Sequence, residues 1–208
     1  MIVKICGIRS LVAAQTAAKA GTDLIGFVFA PSRRRIDPET AAAIGTVIVG
    51  PAKVGIFVNQ PLSEVREIAD YCRLDYIQLH GEESPEYSRS LNRPVIRACR
   101  IDPAFDPKQW AAYPAEYLLF DSFVPGQAGG TGTVFDWRET CGRIRHSRQK
   151  FLVAGGLSPE NVADAIQILN PDGVDVSGGV ETAGVKDPEK IRMFIAAART
   201  AAERMQSC

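Results

Sequence analysis

The sequence predicts an α/β fold, a single (β/α)8 barrel spanning residues 1–208. Three observations carry that expectation. Eight short apolar runs recur along the chain, each is followed by a turn signal and a helix-like stretch, and no linker or break in composition divides the 208 residues. The runs are nearly continuous rather than alternating, which implies strands buried on both faces, as in a parallel sheet covered by helices.

The elements follow in order. IVKIC (2–6) is the first strand, and the Ala-rich LVAAQTAAKAG gives the helix after it. LIGFVF (24–29) is the second; Asp37-Pro38-Glu39 then starts a helix, with aspartate as N-cap, proline where its missing N–H costs nothing, and glutamate facing the positive helix end. KVGIFV (53–58) precedes a helix expected near Ser63, after Pro61. YIQLH (76–80) precedes Ser84-Pro85-Glu86, a second start of the same kind. VIRAC (95–99) leads to the weakest helical pattern, around Asp106–Tyr113. YLLFD (117–121) leads into a long glycine-bearing loop, FLVAG (151–155) into Ser158-Pro159-Glu160, and GVDVS (173–177) into Asp187-Pro188-Glu189 and a final helix through IRMFIAAARTAAERM. An open doubly wound sheet would place a glycine-rich dinucleotide loop after the first strand, where only Gly7 stands.

Composition narrows the function. With 24 basic and 24 acidic residues, bulk charge recruits neither nucleic acid nor a membrane surface. No apolar stretch reaches the roughly 20 residues that cross a bilayer, and a strand-like start makes a cleaved signal peptide unexpected. Cys6, Cys72, Cys99, Cys141 and Cys208 are scattered and odd in number, which fits a reducing, cytoplasmic setting rather than a disulfide framework or zinc site. Two histidines, His80 and His146, far apart in sequence, make a metal unexpected, and no cofactor is called for. The outer helices show no extra apolar stripe, so a monomer is expected.

In such a barrel the chemistry lies at the C-terminal strand ends. These are Cys6, Phe29, Asn59, His80, Cys99, Asp121, Gly155–Gly156 and Ser177–Gly179. Alternate residues face inward. If Cys6 does, so does Lys4; by the same rule Gln78 accompanies His80, Arg97 accompanies Cys99, and Asp175 accompanies Ser177. First and last strands are neighbours in a closed barrel, so Lys4 and Asp175 are expected to pair. Gly156 in VAGGL and Gly178–Gly179 in DVSGGVE lie in the two loops that commonly bind phosphate in barrels, although glycines there also serve tight turns. The loop after Asp121, SFVPGQAGGTGTVFDW, reads as a lid. Asp121 ends an apolar strand, where partial desolvation favours the neutral acid that general-acid catalysis needs. Arg33, Arg34 and Arg35 follow the second strand at the mouth, where one can grip a carboxylate with two parallel hydrogen bonds.

KICGI, GFVF followed by S-x-R, QLHG (78–81), LLFDS (119–122), GGTG with FDW (129–137), VAGGL (153–157) and DVSGGVE (175–181) occur in this order. Together they resemble the phosphoribosylanthranilate isomerase family of tryptophan biosynthesis over essentially the whole chain. The resemblance implies a (β/α)8 barrel and an Amadori rearrangement of N-(5-phosphoribosyl)anthranilate to 1-(2-carboxyphenylamino)-1-deoxyribulose 5-phosphate. It implies Cys6 as general base, Asp121 as general acid and Arg34 as the contact to the anthranilate carboxylate. His80, Gly156, Asp175, Ser177, Gly178 and Gly179 are the further substrate-binding candidates, with a place in the core or behind the contact residues as the alternative for His80 and Asp175. The chain departs from the family pattern at Gly178, where a second serine is common, at Arg35, where an aromatic residue is frequent, and in a segment between Phe29 and Arg34 that is one residue shorter than in some relatives.

Rival readings remain. An indole-glycerol-phosphate synthase would need lysines at strand ends, whereas Lys4 and Lys53 lie lower. A metal-dependent ribulose-phosphate epimerase would need more histidines. A sugar-phosphate-binding barrel without activity, or with another specificity such as the histidine-pathway aminoaldose, is the remaining alternative.

Overall fold

The computed structural model describes residues 1–101, 105–122, 136–145 and 149–206. The strands β1 (Ile2–Cys6), β2 (Leu24–Val28), β3 (Ala52–Phe57), β4 (Tyr76–Leu79), β5 (Val95–Ile101), β6 (Tyr117–Ser122), β7 (Phe151–Val153) and β8 (Gly173–Val176) form a closed parallel barrel in sequence order. Closure is direct: β1 pairs with β8, and Lys4 stands opposite Asp175. The helices are α1 (Leu11–Lys19), α2 (Pro38–Val47), α3 (Leu62–Tyr71), α4 (Pro85–Arg89), α5 (Trp137–Arg145), α6 (Val162–Leu169) and α7 (Pro188–Gln206). A short antiparallel pair, β9 (Glu181–Thr182) and β10 (Val185–Lys186), sits between β8 and α7.

The caps explain most helix starts. The Asp37 carboxylate accepts from Thr40 N at 2.7 Å, Ser84 Oγ from Tyr87 N at 3.2 Å, and Asp187 Oδ1 from Glu189 N at 2.9 Å. The third expected start behaves differently. Ser158-Pro159-Glu160 forms a turn, and α6 begins only after Asn161, whose Oδ1 accepts from Ser158 N at 2.8 Å and whose Nδ2 donates to Gly156 O at 2.9 Å. That asparagine braces the β7 loop instead of capping the helix. Around Asp106–Tyr113 only a single 3-10 turn forms, Pro107–Gln109.

Two apolar layers result. Val3, Ile5, Phe27, Phe57, Leu118, Phe120, Val174 and Val176 pack against the helices, while Leu24, Val54, Ile56, Ile96, Ala98, Leu119 and Leu152 fill the barrel interior. The inward expectation therefore fails for β5: Ile96 and Ala98 face in, and Arg97 and Cys99 face out. The cause is a partner on the outer side. Arg97 Nη1 donates to the buried Glu83 at 2.6 Å, Nη2 donates to Gly81 O at 2.8 Å, and the guanidinium lies 5.1 Å from the Trp110 ring and 5.3 Å from Tyr113. Glu83 also accepts from Asn59 N and Gly81 N, tying together the loops after β3 and β4. Cys99 lies in the outer core, where burial pushes its thiol up to about 12.

Candidate active site

The interior becomes polar toward the C-terminal ends of the strands. Lys4, fully buried, donates to Asp175 Oδ1 at 2.9 Å, forming the expected pair across the seam between β1 and β8. Burial alone would lower the Lys4 ammonium, but the Asp175 carboxylate and the neighbouring Cys6 outweigh it and hold the pKa above the ordinary lysine value. One pleat higher, Cys6 points to the same interior. Gly26 on β2 leaves it room: a Cβ there would lie 3.0 Å from the sulfur. Burial raises the Cys6 thiol and the positive charge of Lys4 works against it, with the net shift upward. At neutral pH the sulfur is therefore held as the thiol.

Gly7 completes the turn after Cys6 with φ +75°, and a Cβ on it would stand 2.7 Å from Arg34 Cδ. Strand β1 ends in a glycine so that the chain can turn and the Arg34 stem can lie against it. Arg34 itself is 7% exposed, and one edge of its guanidinium is filled: Nε donates to Glu181 Oε1 at 2.7 Å and Nη2 to Oε2 at 2.9 Å. Lys186 Nζ donates to the same carboxylate at 2.6 Å, to Ser177 O at 2.9 Å and to Ser177 Oγ at 3.2 Å. Burial would raise the Glu181 carboxyl, but the hydrogen bonds from Arg34 and Lys186 prevail and hold it at about 2. Burial lowers the Lys186 ammonium, partly offset by Glu181.

Across the pocket, Asp121 ends the inward row of β6. Its Oδ2 lies 3.5 Å from His80 Nε2, while its Oδ1 is buried without a hydrogen-bond partner among the described residues. His80 Nδ1 contacts Gln78 Nε2 at 3.2 Å, which fixes the ring plane. The loops after β7 and β8 close the far wall. Gly155 and Gly156 have φ of +82° and +65°. Gly179 is pressed against the β7 loop so closely that a Cβ would lie 1.9 Å from Leu157 O. The backbone N–H groups of Gly156, Gly178 and Gly179 have no acceptor among the described residues, and all three glycines line the pocket. Unpaired N–H groups converging from two adjacent loops make a seat for an anion.

Cys6, Arg34, His80, Asp121, Gly156, Asp175, Ser177, Gly178 and Gly179 thus line one pocket. Phe29 turns outward into the helix-facing core, and Cys99 takes no part. The expected lid after Asp121 falls mostly on residues 123–135, outside those described. Glu181 and Lys186 are what sequence reasoning missed; they come from β9 and β10, two-residue strands that leave no periodic signal. Among the described residues no group of three His, Cys, Asp or Glu side chains is placed to hold a metal ion. No helix among them is long and apolar enough to cross a membrane.

Comparison with known proteins agrees with this geometry. Residues 3–197 match the family model described as N-(5'phosphoribosyl)anthranilate (PRA) isomerase. The chain is 50% identical over 203 residues to the N-(5'-phosphoribosyl)anthranilate isomerase of Desulforudis audaxviator (strain MP104C), covering 96% of this chain and 98% of the relative. It superimposes with a TM-score of 0.85 and 36% identity on monomers generated from the dimeric phosphoribosylanthranilate isomerase of Thermotoga maritima, over 96% of this chain and 100% of that one. The TM-score is also 0.85, at 36% identity and the same coverage, for a phosphoribosyl anthranilate isomerase in complex with reduced 1-(o-carboxyphenylamino)-1-deoxyribulose 5-phosphate.

Proposed function

The chain belongs to the N-(5'-phosphoribosyl)anthranilate isomerase family, and on that premise we propose that Cys6 and Asp121 are the acid–base pair of its reaction. The activity is the isomerisation of N-(5'-phosphoribosyl)anthranilate in tryptophan biosynthesis. The observation that supports the residue roles is the arrangement of the pocket. A carboxyl on β6 and a sulfur on β1 line the same cavity, whose far wall carries the unpaired N–H groups of the β7 and β8 loops.

The substrate fits this wall to wall. Its phosphate goes to Gly156, Gly178 and Gly179, and its carboxylate to Arg34, which holds the pentose between the two reacting side chains. Asp121 gives its proton to the ribose ring oxygen while the anilino nitrogen lone pair opens the C1′–O bond, leaving an iminium. Cys6, which releases its thiol proton to solvent as the iminium forms, then takes the C2′ proton as the thiolate, the C2′–H electrons neutralise the iminium, and the enolamine formed tautomerises to the ketone. The order suits the upward-shifted thiol. The iminium is a positive charge formed beside the sulfur, so it favours the thiolate at the moment when the base is needed and acidifies C2′–H at the same time.

Cys6→Ser replaces the thiol with a hydroxyl too weakly acidic to act as base, and kcat is expected to fall by roughly 10²–10⁴-fold with little change in ligand affinity. Loss of anthranilate fluorescence on turnover reports the rate. A Cys6→Ser variant with full activity rules out this base. A monomer belongs to this reading, supported by exposed apolar residues spread over α1, α2, α3, β10 and α7. A cytoplasmic location belongs to it as well, because a catalytic free thiol needs a reducing compartment.

A further inference from the structure

We propose that Glu181 is a positioning residue that aims Arg34 at the substrate carboxylate, with Lys186 holding Glu181 in place. The inference rests on the reading above that Arg34 grips that carboxylate, and it starts from the shape of a guanidinium. The group offers two edges at which a pair of parallel N–H donors can meet a carboxylate. In this site the Nε–Nη2 edge is already used on Glu181, at 2.7 and 2.9 Å. The other edge, Nη1 with the second Nη2 proton, has no acceptor among the described residues, and Arg34 lines the pocket. Fixing one edge fixes the plane of the whole group, so the free edge is held in a single direction before substrate arrives. An arginine on a flexible stem would otherwise lose its rotamer freedom on binding, which weakens the grip.

Glu181 is itself fixed. Its carboxylate, 6% exposed, takes Lys186 Nζ at 2.6 Å, and its carbonyl takes Lys190 Nζ at 3.0 Å. Arg33, 64% exposed, approaches Oε2 only to 3.8 Å and is screened by solvent. Lys186 in turn holds both oxygens of Ser177, and Ser177 Oγ donates to Cys6 O at 3.1 Å. Counting charges, the buried cluster holds two cations, Arg34 and Lys186, against the single carboxylate of Glu181. Lys4 and Asp175 cancel each other below. The surplus of one positive charge is matched by one more carboxylate, the one that the anthranilate ring carries. The cluster thus recognises the substrate by charge as well as by direction.

The test compares two substrates on the intact enzyme: N-(5'-phosphoribosyl)anthranilate and the N-(5'-phosphoribosyl)aniline analogue, which lacks the carboxylate. A well-aimed, charge-assisted bidentate contact is worth roughly 10- to 100-fold in discrimination. The wild type is expected to favour the carboxylated substrate by that factor, expressed mainly in KM. Glu181→Gln raises the surplus of positive charge but frees the direction of Arg34, so direction decides the outcome: the preference is expected to shrink by up to about tenfold, with kcat/KM for the aniline analogue changing less than about threefold. A merely structural role for Glu181 would lower both substrates alike. A variant that discriminates as well as the wild type overturns the proposal. A wild type that shows no preference overturns the Arg34 reading on which it stands, and the two failures are separable because they appear in different proteins. Should Glu181→Gln fail to fold, the double variant Glu181→Met with Lys186→Met removes both charges together and carries the same comparison.

Discussion

Replacing Lys4 with methionine probes the seam where the barrel closes. The lysine is fully buried, its partner Asp175 has 8% of its side chain exposed, and the charges stand 2.9 Å apart. At an effective dielectric of about 20, that separation gives an attraction of about 6 kcal/mol, which offsets the desolvation of two ions. Methionine matches the length of the lysine stem but removes the charge, so the Asp175 carboxylate stays buried with its counterion gone. The expected cost is about 3–5 kcal/mol, a large share of the 5–15 kcal/mol by which a domain is usually stable. Urea unfolding followed by circular dichroism measures it. The double variant Lys4→Met with Asp175→Val buries no ion and is expected to recover most of the loss. A single variant that loses less than about 1 kcal/mol, or a double variant no more stable than the single one, refutes the account of this pair as a mutually compensating buried ion pair.

Two further outcomes follow from the site. Because burial raises the Cys6 thiol above its ordinary value near 8.5, the proton is retained to higher pH, and kcat/KM should still be rising where an exposed thiol would already be ionised. A kcat/KM profile that levels off below about pH 8.5 contradicts the upward shift. Gly179→Ala forces a Cβ to 1.9 Å from Leu157 O, so the β7 and β8 loops must part. KM for the phosphorylated substrate is expected to rise at least roughly tenfold, since several N–H contacts to one anion are lost together, whereas Gly142→Ala in α5, where a Cβ meets nothing within 4 Å among the described residues, should leave kinetics unchanged.

The barrel was readable because its strands announce themselves. Runs such as LIGFVF and FLVAG are apolar on both faces, and short turns with proline-led caps separate most strands from the helices. The same property hid the orientation of β5. In VIRAC a lone arginine stands among residues that are buried whichever way they point, and only Glu83, Trp110 and Tyr113, brought in from other segments, decide that Arg97 faces out. Cys6, Asp121 and the glycine loops were legible because strand ends define the mouth of a barrel. Glu181 was not, because its role depends on Arg34, distant in sequence, and on a hairpin of two-residue strands. Ser158 looked like a cap by the same pattern that works at Ser84, and the difference lies in Asn161, which captures the loop first.

The closure seam has a consequence for how the molecule is born. Lys4 meets Asp175, and Ser177 meets Cys6, each across a separation of 171 residues. While a ribosome is still extending the chain, the Lys4 ammonium has nothing to neutralise it, and the sulfur has no glycine loops from β7 and β8 facing it. The nascent polypeptide can assemble helices and adjacent strands as they emerge, but the ring waits for its last member. Turnover therefore begins only once β8 has emerged, and a product truncated before Gly173 is both inactive and left with a stranded charge at an open sheet edge, the kind of surface that chaperones and proteases recognise.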